Sequence, residues 1–234
     1  MSRTPLTLHY HPLSSFCWKV LIALYESGTR FTANIVDLGD AAQRAALLRL
    51  WPIGKFPVLE DGARDRVVPE SSIIIEYLAQ HYPGSATLVP ADPDLALQAR
   101  LRDRFYDHYV HLPMQKIVAD RMRPDGQKDP TGVAAAIAQI DTAYAMLEND
   151  LGDNPWAMGD AFTIADCAAA PALYYASVAV PIGTTRPHTG AYLRRLMARP
   201  SFARVLTEAE PYFRYFPLNA ERLDRIASWV RGGG

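Results

Sequence analysis

The stretch of sequence that decides the fold is GKFPVLEDGARDRVVPESS, which occupies residues 54–72. Two short apolar runs, FPVL and VVP, flank a charged segment with a glycine, and this pattern is typical of two strands joined by a turn. Pro57 cannot donate a hydrogen bond to a strand ladder, so we expect it at the first residue of its strand or in a turn. Glu70 and Ser71 then fall at a helix N-terminus, where free N–H groups and the positive end of the helix dipole favour a bound carboxylate or phosphate.

The residues before and after this stretch complete a βαβαββα order over the first 82 residues. Besides the two runs above, the sequence predicts strands at residues 6–10 and 31–36, and helices at residues 16–26, 41–50 and 71–81. Strands separated by a single helix pair in parallel, whereas strands joined by a tight turn pair antiparallel. We therefore expect an α/β domain with a mixed four-stranded sheet and helices on its faces.

A break rich in proline follows at residues 83–93 and predicts a linker between two domains. Beyond it the strand pattern is absent and helical periodicity recurs, so residues 94–234 predict an all-α domain. Pro113 lies inside the first long helical pattern, where it should kink the helix or end it. Thr163 and Asp166 have the spacing of a capping box, in which each side chain satisfies an N–H group of the other residue, and they predict a helix that begins just after the threonine.

The composition narrows the class of partner. Apolar residues make up 49% of the 234 residues and charged residues 21%, and the formal net charge is -1. This balance lacks the basic surface that nucleic-acid binding requires, so we expect a small molecule or another protein as the partner. No apolar run approaches the roughly 18 residues of a membrane span, and no signal peptide is recognisable. Cys17 and Cys167 lack zinc-like spacing, which fits a reducing compartment, and the sequence predicts a soluble cytoplasmic protein.

Two histidine pairs have spacing that is compatible with metal ligands. His9 and His11 lie on a predicted strand and its end, and His108 and His111 lie on a predicted helix. No neighbouring carboxylate or cysteine completes a ligand set, so we expect no metal site.

Three motifs, taken in order, resemble those of the cytosolic glutathione transferase family. They are SSFCWKV at residues 14–20, KFPVL at residues 55–59 followed by the Glu-Ser pair, and FTIAD at residues 162–166. The first motif looks like the serine-type helix start of the zeta and tau classes. The resemblance covers essentially the whole chain. It implies a thioredoxin-like N-terminal domain at residues 1–82, an α-helical C-terminal domain, and glutathione as a cosubstrate with no tightly bound cofactor.

The resemblance also assigns the glutathione-binding residues. It implies a cis peptide bond between Phe56 and Pro57, with the Phe56 backbone pairing with the cysteinyl part of glutathione, as a strand edge pairs with an extended peptide. Ser71 would hold the γ-glutamyl carboxylate and Glu70 would attract the ammonium group of the same residue. Lys55 would approach the glycyl carboxylate.

The catalytic group of such an enzyme stabilises the glutathione thiolate from the end of the first strand. A free thiol with a pKa of about 8.5 is only a few per cent ionised at pH 7, so a hydrogen bond and a helix dipole aimed at the sulfur are needed. Ser14 fits that place best. Tyr10 is the alternative, because a phenol can donate the same hydrogen bond and Tyr10-His11-Pro12 also resembles the tyrosine-type classes. Cys17 lies one turn into the helix, and we interpret it as a packed apolar residue.

The second substrate would lie in an apolar cleft between the domains. The residues predicted to line it are Leu13, Tyr106, Tyr109, Val110, Pro113 and Met114, with Tyr212, Phe213, Tyr215 and Phe216 near the C-terminus. The sequence thus predicts a homodimeric glutathione S-transferase that conjugates the glutathione thiolate to a small hydrophobic electrophile. Two alternatives stay open: a zeta-like glutathione-dependent cis/trans isomerase, and a non-catalytic glutathione- or ligand-binding protein of the same fold.

Overall fold

The computed structural model describes residues 5–217, and contacts between Cα atoms divide the chain into two units, Met1–Val89 and Pro90–Gly234. The predicted domains begin at residue 1 and end at residue 234, so their outer ends lie beyond the described residues. Ser85, inside the predicted linker, donates its backbone N–H to the carbonyl of Ser27 over 3.1 Å. The start of that segment therefore packs against the first unit, and the linker boundaries stay a prediction.

The first unit has the predicted βαβαββα order. Its strands are β1 (Leu6–Tyr10), β2 (Thr32–Ile35), β3 (Val58–Asp61) and β4 (Arg66–Pro69), and its helices are α1 (Ser15–Ser27), α2 (Ala41–Leu50) and α3 (Ser71–His81). The strand order in the sheet is β2-β1-β3-β4. Strand β1 pairs in parallel with β2 and antiparallel with β3, which itself pairs antiparallel with β4. The prediction of a mixed four-stranded sheet is confirmed.

Burial alternates along β1, as expected for a strand with one face on the core. Leu6, Leu8 and Tyr10 are buried, while the residues between them are half-buried. On that other face the imidazole of His9 contacts the carboxylate of Glu60 at 2.6 Å and the amide of Asn34 at 2.8 Å. His9 therefore links three adjacent strands rather than forming part of a ligand set with His11.

Helix α1 is held at both ends and buried along most of its length. It ends at Gly28, whose φ of 67° allows its N–H to reach the carbonyls of Leu24 and Tyr25. At the other end, the indole Nε1 of the fully buried Trp18 donates to the carbonyl of Pro12 over 2.5 Å. This hydrogen bond fixes the loop between β1 and α1.

The described part of the second unit contains helices and isolated bridges but no strand. Its α-helices are α4 (Pro93–Phe105), α5 (Leu112–Arg121), α6 (Pro130–Leu151), α7 (Ile164–Ala179), α8 (Pro187–Ala198) and α9 (Pro200–Ala209), with short 3₁₀ helices at Asp125–Gln127 and Glu210–Tyr215. Nearly every residue of α7 is buried, so this helix forms the centre of the unit. Among residues 5–217, no helix combines the length and the apolar character that crossing a membrane would require.

Pro113 does not end the helix that contains it. A π-helical segment, Tyr106–His111, joins α4 to α5, and the N–H of Leu112 bonds to the carbonyl of Asp107, five residues earlier. A proline has no N–H to donate and its ring collides with the carbonyl four residues before it. The wider π turn accommodates this residue without interrupting the helix, which is an outcome that the sequence pattern did not distinguish.

The capping box at the start of α7 is confirmed. The carboxylate of Asp166 accepts hydrogen bonds from the Thr163 backbone N–H (2.8 Å), the Ala157 N–H (2.8 Å) and the Tyr192 hydroxyl (2.6 Å). Thr163 in turn accepts from the N–H of Ala165 at 3.3 Å. Burial raises the pKa of the Asp166 carboxyl, and these hydrogen bonds oppose that rise. Asp166 therefore joins the loop before α7, the start of α7 and the helix α8.

We expect Asp166→Ala to lower the free energy of unfolding by about 2–4 kcal/mol, because it leaves the buried N–H of Ala157 and the hydroxyl of Tyr192 without their acceptor. Urea unfolding followed by circular dichroism measures this loss. The matched control is Asp141→Ala, which removes a surface pair with Arg186 and should change stability by less than about 1 kcal/mol. Equal effects of the two substitutions would contradict the assigned role of Asp166.

Candidate functional site

The register of the sheet brings the predicted site segments to one end of the first unit. His9 near the end of β1 pairs with Val58 at the start of β3, and Val58 also pairs with Pro69 at the end of β4. The loop after β1, the Phe56-Pro57 bond before β3 and the turn after β4 therefore meet at the same end of the sheet. Three segments that are separated from one another in sequence by at least one strand become neighbours there.

Ser14 caps helix α1. Its φ and ψ of -79° and 115° are extended, and its hydroxyl oxygen accepts from the backbone N–H of Cys17 at 3.4 Å. That distance is long for an N–H···O bond, so the hydroxyl is only weakly engaged as a cap. The half-buried Ser14 can still donate its hydroxyl proton to an anion placed at the helix N-terminus, where the dipole is favourable.

Tyr10 has a different environment. It shares the buried face of β1 with Leu6 and Leu8, and only 8% of its surface is exposed. This packing makes Tyr10 part of the core on the buried face of the sheet. Of the two predicted thiolate-stabilising residues, Ser14 is therefore the more accessible, although the catalytic role of either residue stays a prediction.

The Phe56-Pro57 peptide bond is cis. The ring of Phe56 stacks on the imidazole of His11, with 5.9 Å between centroids and 17° between planes, and packs against the buried residues Val36, Leu47 and Val58. The Nδ1 atom of His11 accepts the backbone N–H of Leu13 over 3.2 Å, and burial lowers the pKa of His11 while Asp37 opposes that effect. His11 thus connects the loop that carries Ser14 to the segment that carries the cis bond.

The turn between β4 and α3 places a helix N-terminus at the same end of the sheet. Glu70 is exposed and has a φ of 70°, a left-handed conformation that costs free energy for a residue other than glycine. Ser71, the first residue of α3, is only 5% exposed. No side chain caps α3, in contrast to α2, α4, α6 and α7, whose first N–H groups bond to an aspartate or threonine. The first turn of α3 therefore keeps donors for a bound anion.

Two lysines differ in how they relate to this site. Lys55 is exposed and makes no hydrogen bond or ion pair with the described residues, so its ammonium group is available to a ligand. Lys19 of α1 is almost completely buried, and its Nζ donates to the hydroxyl of Ser72 in the first turn of α3 over 2.8 Å. Sequence reasoning missed Lys19 and gave His11 no role outside the metal question. A lysine between Trp18 and Val20 in an apolar helix was the available signal.

The residues predicted to contact the electrophile are not equally placed in the second unit. Tyr109 is 52% exposed, whereas Tyr106, Val110, Pro113 and Met114 are buried. The hydroxyl of Tyr106 lies near Asp166 and Tyr192, and burial raises the pKa of Tyr106 above its usual range. Tyr106 is thus a core residue beside the capping box.

Near the C-terminus, Phe213 and Phe216 lie against the rings of Tyr174 and Tyr175, while Tyr215 is exposed. Their roles as substrate contacts stay predictions.

Neither cysteine is placed to act as a nucleophile. Both are fully buried and free of disulfide bonds. Burial raises the pKa of the Cys17 thiol to about 12, an effect that hydrogen bonds with Ser14 and the His11 backbone only partly oppose. Within residues 5–217, no group of three or more histidine, cysteine, aspartate or glutamate side chains could hold a metal ion.

Two family models match the chain in succession. The model described as glutathione S-transferase, N-terminal domain, matches residues 8–86, and the model described as glutathione S-transferase, C-terminal domain, matches residues 130–232. Together they include every predicted site residue of the first unit and the capping box of the second.

Individual proteins match over most of their length. Glutathione S-transferase 3 of Zea mays is 33% identical over 211 residues, which are 86% of this chain and 93% of the maize protein. A stringent starvation protein A homologue of Coxiella burnetii is 27% identical over 92% of this chain and 97% of its own length. Among solved structures, a glutathione S-transferase of Methylobacterium radiotolerans in complex with glutathione sulfonate has a TM-score of 0.76 and 31% identity, and the match covers 86% of this chain and 93% of that one.

We expect Cys17 and Cys167 to resist iodoacetamide at about pH 8 in the folded protein, because both thiols are buried and the raised pKa keeps Cys17 protonated. Intact mass should show no adduct on the native chain and two adducts after unfolding in guanidinium chloride. Rapid alkylation of Cys17 in the native protein would contradict its assignment as an unreactive core residue.

Proposed function

Because the chain belongs to the glutathione S-transferase family, we propose that it binds glutathione on its first unit and conjugates the glutathione thiolate to a small hydrophobic electrophile. One observation supports this proposal above the others. Because β3 pairs with both β1 and β4, the start of α1, the cis Phe56-Pro57 bond and the start of α3 lie at one end of the sheet. An extended tripeptide offers main-chain groups and charged ends to such a set of segments.

Glutathione offers a different group to each of these segments. The γ-glutamyl carboxylate binds the N–H groups and the Ser71 hydroxyl at the uncapped start of α3, and the exposed carboxylate of Glu70 attracts the γ-glutamyl ammonium. The backbone of Phe56 pairs with the cysteinyl residue. Lys55, which has no partner among the described residues, binds the glycyl carboxylate. Both ends of the tripeptide thereby meet groups of opposite charge.

This arrangement presents the cysteinyl thiol to Ser14. The thiol releases its proton to solvent, and the sulfur anion accepts a hydrogen bond from the Ser14 hydroxyl while the dipole of α1 lowers its free energy further. The thiolate then forms a carbon–sulfur bond with the electrophile. In a substitution the leaving group departs with the electron pair of its bond to carbon, and in an addition carbon takes up a proton from solvent.

Two of the side chains predicted to contact the electrophile, Leu13 and Tyr109, are not buried. Leu13 lies in the loop next to Ser14, and Tyr109 presents an exposed ring on the π-helical segment. We propose that the Tyr109 ring offers apolar surface to the electrophile and that Tyr106, Val110 and Met114 form the packed layer that supports its segment. Leu13, on the first unit, stays a predicted contact. Binding of a hydrophobic substrate to such a surface is favourable because it removes apolar area of both partners from water.

A homodimer is part of the proposal. Leu97 and Leu101 lie one turn apart on α4 and are 65% and 68% exposed, so they form an apolar strip that a second copy would cover. On the same helix, Arg104 donates to Asp103 and to Asp107 of the adjoining π-helical segment, each at 2.6 Å.

A second candidate function is glutathione or ligand binding without catalysis. It is favoured by the relative from Coxiella burnetii, which matches this chain over 92% of its length and whose name does not refer to a transferase. The two candidates share the first unit and differ only in whether the bound thiolate reacts.

Retention on immobilised glutathione, followed by turnover of an activated aryl halide, tests the two candidates together. A transferase should be eluted by free glutathione and should release halide at a rate that saturates with both substrates. Retention without turnover against a broad set of electrophiles would favour the binding protein, and absence of retention would contradict glutathione binding in both candidates.

We expect Ser14→Ala to raise the pKa of bound glutathione and to lower kcat/KM by about 10- to 100-fold, because it removes a hydrogen bond to a charged sulfur. The ultraviolet absorbance of the thiolate in the complex, recorded against pH, measures the pKa directly. Tyr10→Phe removes only the buried phenol oxygen and should leave the pKa where it is. The reverse pattern would assign thiolate stabilisation to Tyr10 and overturn the role of Ser14.

A further inference from the structure

We propose that Lys19 is a positioning residue that makes the site specific for the γ-glutamyl end of its thiol substrate. This inference rests on the proposed function and gives a role to Lys19, a residue of the motif at positions 14–20 that the proposed function leaves without one. It starts from a lysine that is 1% exposed and whose Nζ lies 2.8 Å from the hydroxyl oxygen of Ser72.

The burial of this amine requires an explanation. A lysine side chain loses favourable hydration when it leaves water, so a buried lysine persists only where its Nζ donates to polar groups. Lys19 lies in the second turn of α1, one turn after Ser14, and Ser72 lies in the first turn of α3. The hydrogen bond therefore connects the two helices close to both N-termini that form the site.

The start of α3 depends on such a connection. Glu70 provides no side-chain cap and has a left-handed backbone, so the first turn lacks the local cap that fixes the starts of α2, α4 and α7. The Glu70 carbonyl accepts the usual helical bond from the N–H of Ile74, over 2.8 Å. The bond from Lys19 is a tertiary restraint on the residue next to Ser71. It holds the first turn in place without occupying the N–H groups that a carboxylate would use.

This geometry separates the γ-glutamyl end of the substrate from its thiol and its glycyl end. The γ-glutamyl carboxylate contacts the turn that Lys19 restrains, whereas the thiol contacts Ser14 and the glycyl end contacts Lys55. Loss of the Lys19 hydrogen bond should weaken recognition of the γ-glutamyl group and leave the other two contacts intact. A misplacement of this kind raises KM more than it lowers kcat.

The experiment compares two ligands on variants of the full chain. Glutathione and the dipeptide Cys-Gly share the thiol and the glycyl end, and only glutathione carries the γ-glutamyl group. We expect Lys19→Met to weaken glutathione binding by about five- to tenfold and Cys-Gly binding by less than about twofold, as measured by isothermal titration. Lys19→Arg should restore part of the glutathione affinity, because a guanidinium can donate to the same hydroxyl. The thiolate pKa in the glutathione complex should not change.

Ser72→Ala removes the other partner and provides a test that does not alter the lysine. If the hydrogen bond carries the effect, Ser72→Ala should also weaken glutathione selectively, and the double variant should bind no worse than the more affected single variant. The matched control is Lys116→Met, which breaks a pair with Asp129 in the second unit and should leave both affinities unchanged.

Two results would overturn the inference alone: glutathione binding that is unchanged in Lys19→Met, or an equal loss for both ligands. Additive effects of Lys19→Met and Ser72→Ala would also contradict it. If the unmodified protein binds neither ligand, the proposed function and this inference are both wrong.

Discussion

The pairing of strand β3 with β1 on one side and β4 on the other is the constraint on which the first unit depends. Val58 pairs with His9 of β1 and with Pro69 of β4, so the end of β1, the start of β3 and the end of β4 lie at the same end of the sheet. Residue pairing in a sheet has a period of two, and a shift by one residue would turn the buried faces of these strands toward solvent. The same register that buries Leu8 and Leu59 therefore determines which loops meet at the candidate site.

Two helix N-termini, those of α1 and α3, lie at this end of the sheet, and neither has a short hydrogen bond from a side-chain cap. The hydroxyl of Ser14 makes a long contact of 3.4 Å with α1, and α3 has no side-chain cap. Helices α2, α4, α6 and α7, by contrast, have a side-chain cap, as Asp40 provides for α2 at 2.9 Å. The positive ends of both helix dipoles lie at this end of the sheet, so it is suited to a ligand with more than one anionic group. Rigid contacts around it, from Trp18 to Pro12 and from Lys19 to Ser72, hold these donors in place.

The fold could be predicted well from local patterns. The bounds of α2 and α3 agree with the apolar periodicity and its proline and glycine limits, and the capping box correctly placed the start of α7. The continuation of a helix through Pro113 could not be predicted, because whether a proline ends a helix or is absorbed by a π turn depends on the packing of the neighbouring helices. The role of Tyr106 was also open, since an aromatic residue at helical spacing serves equally in a core or in a pocket until its burial is known.

The sequence by itself determined the elements, the mixed sheet, the helical second unit and the family, because propensity, apolar period, caps and motif spacing are local properties of the chain. Residues 54–72 also carried the positions of Lys55, Phe56, Glu70 and Ser71. Only the tertiary structure decided which groups meet: the stacking of His11 on Phe56, the burial of Tyr10 beside an accessible Ser14, and the hydrogen bond from Lys19 to Ser72 across 53 residues. Contacts between distant residues depend on strand register and helix packing, and a one-dimensional pattern contains neither of these.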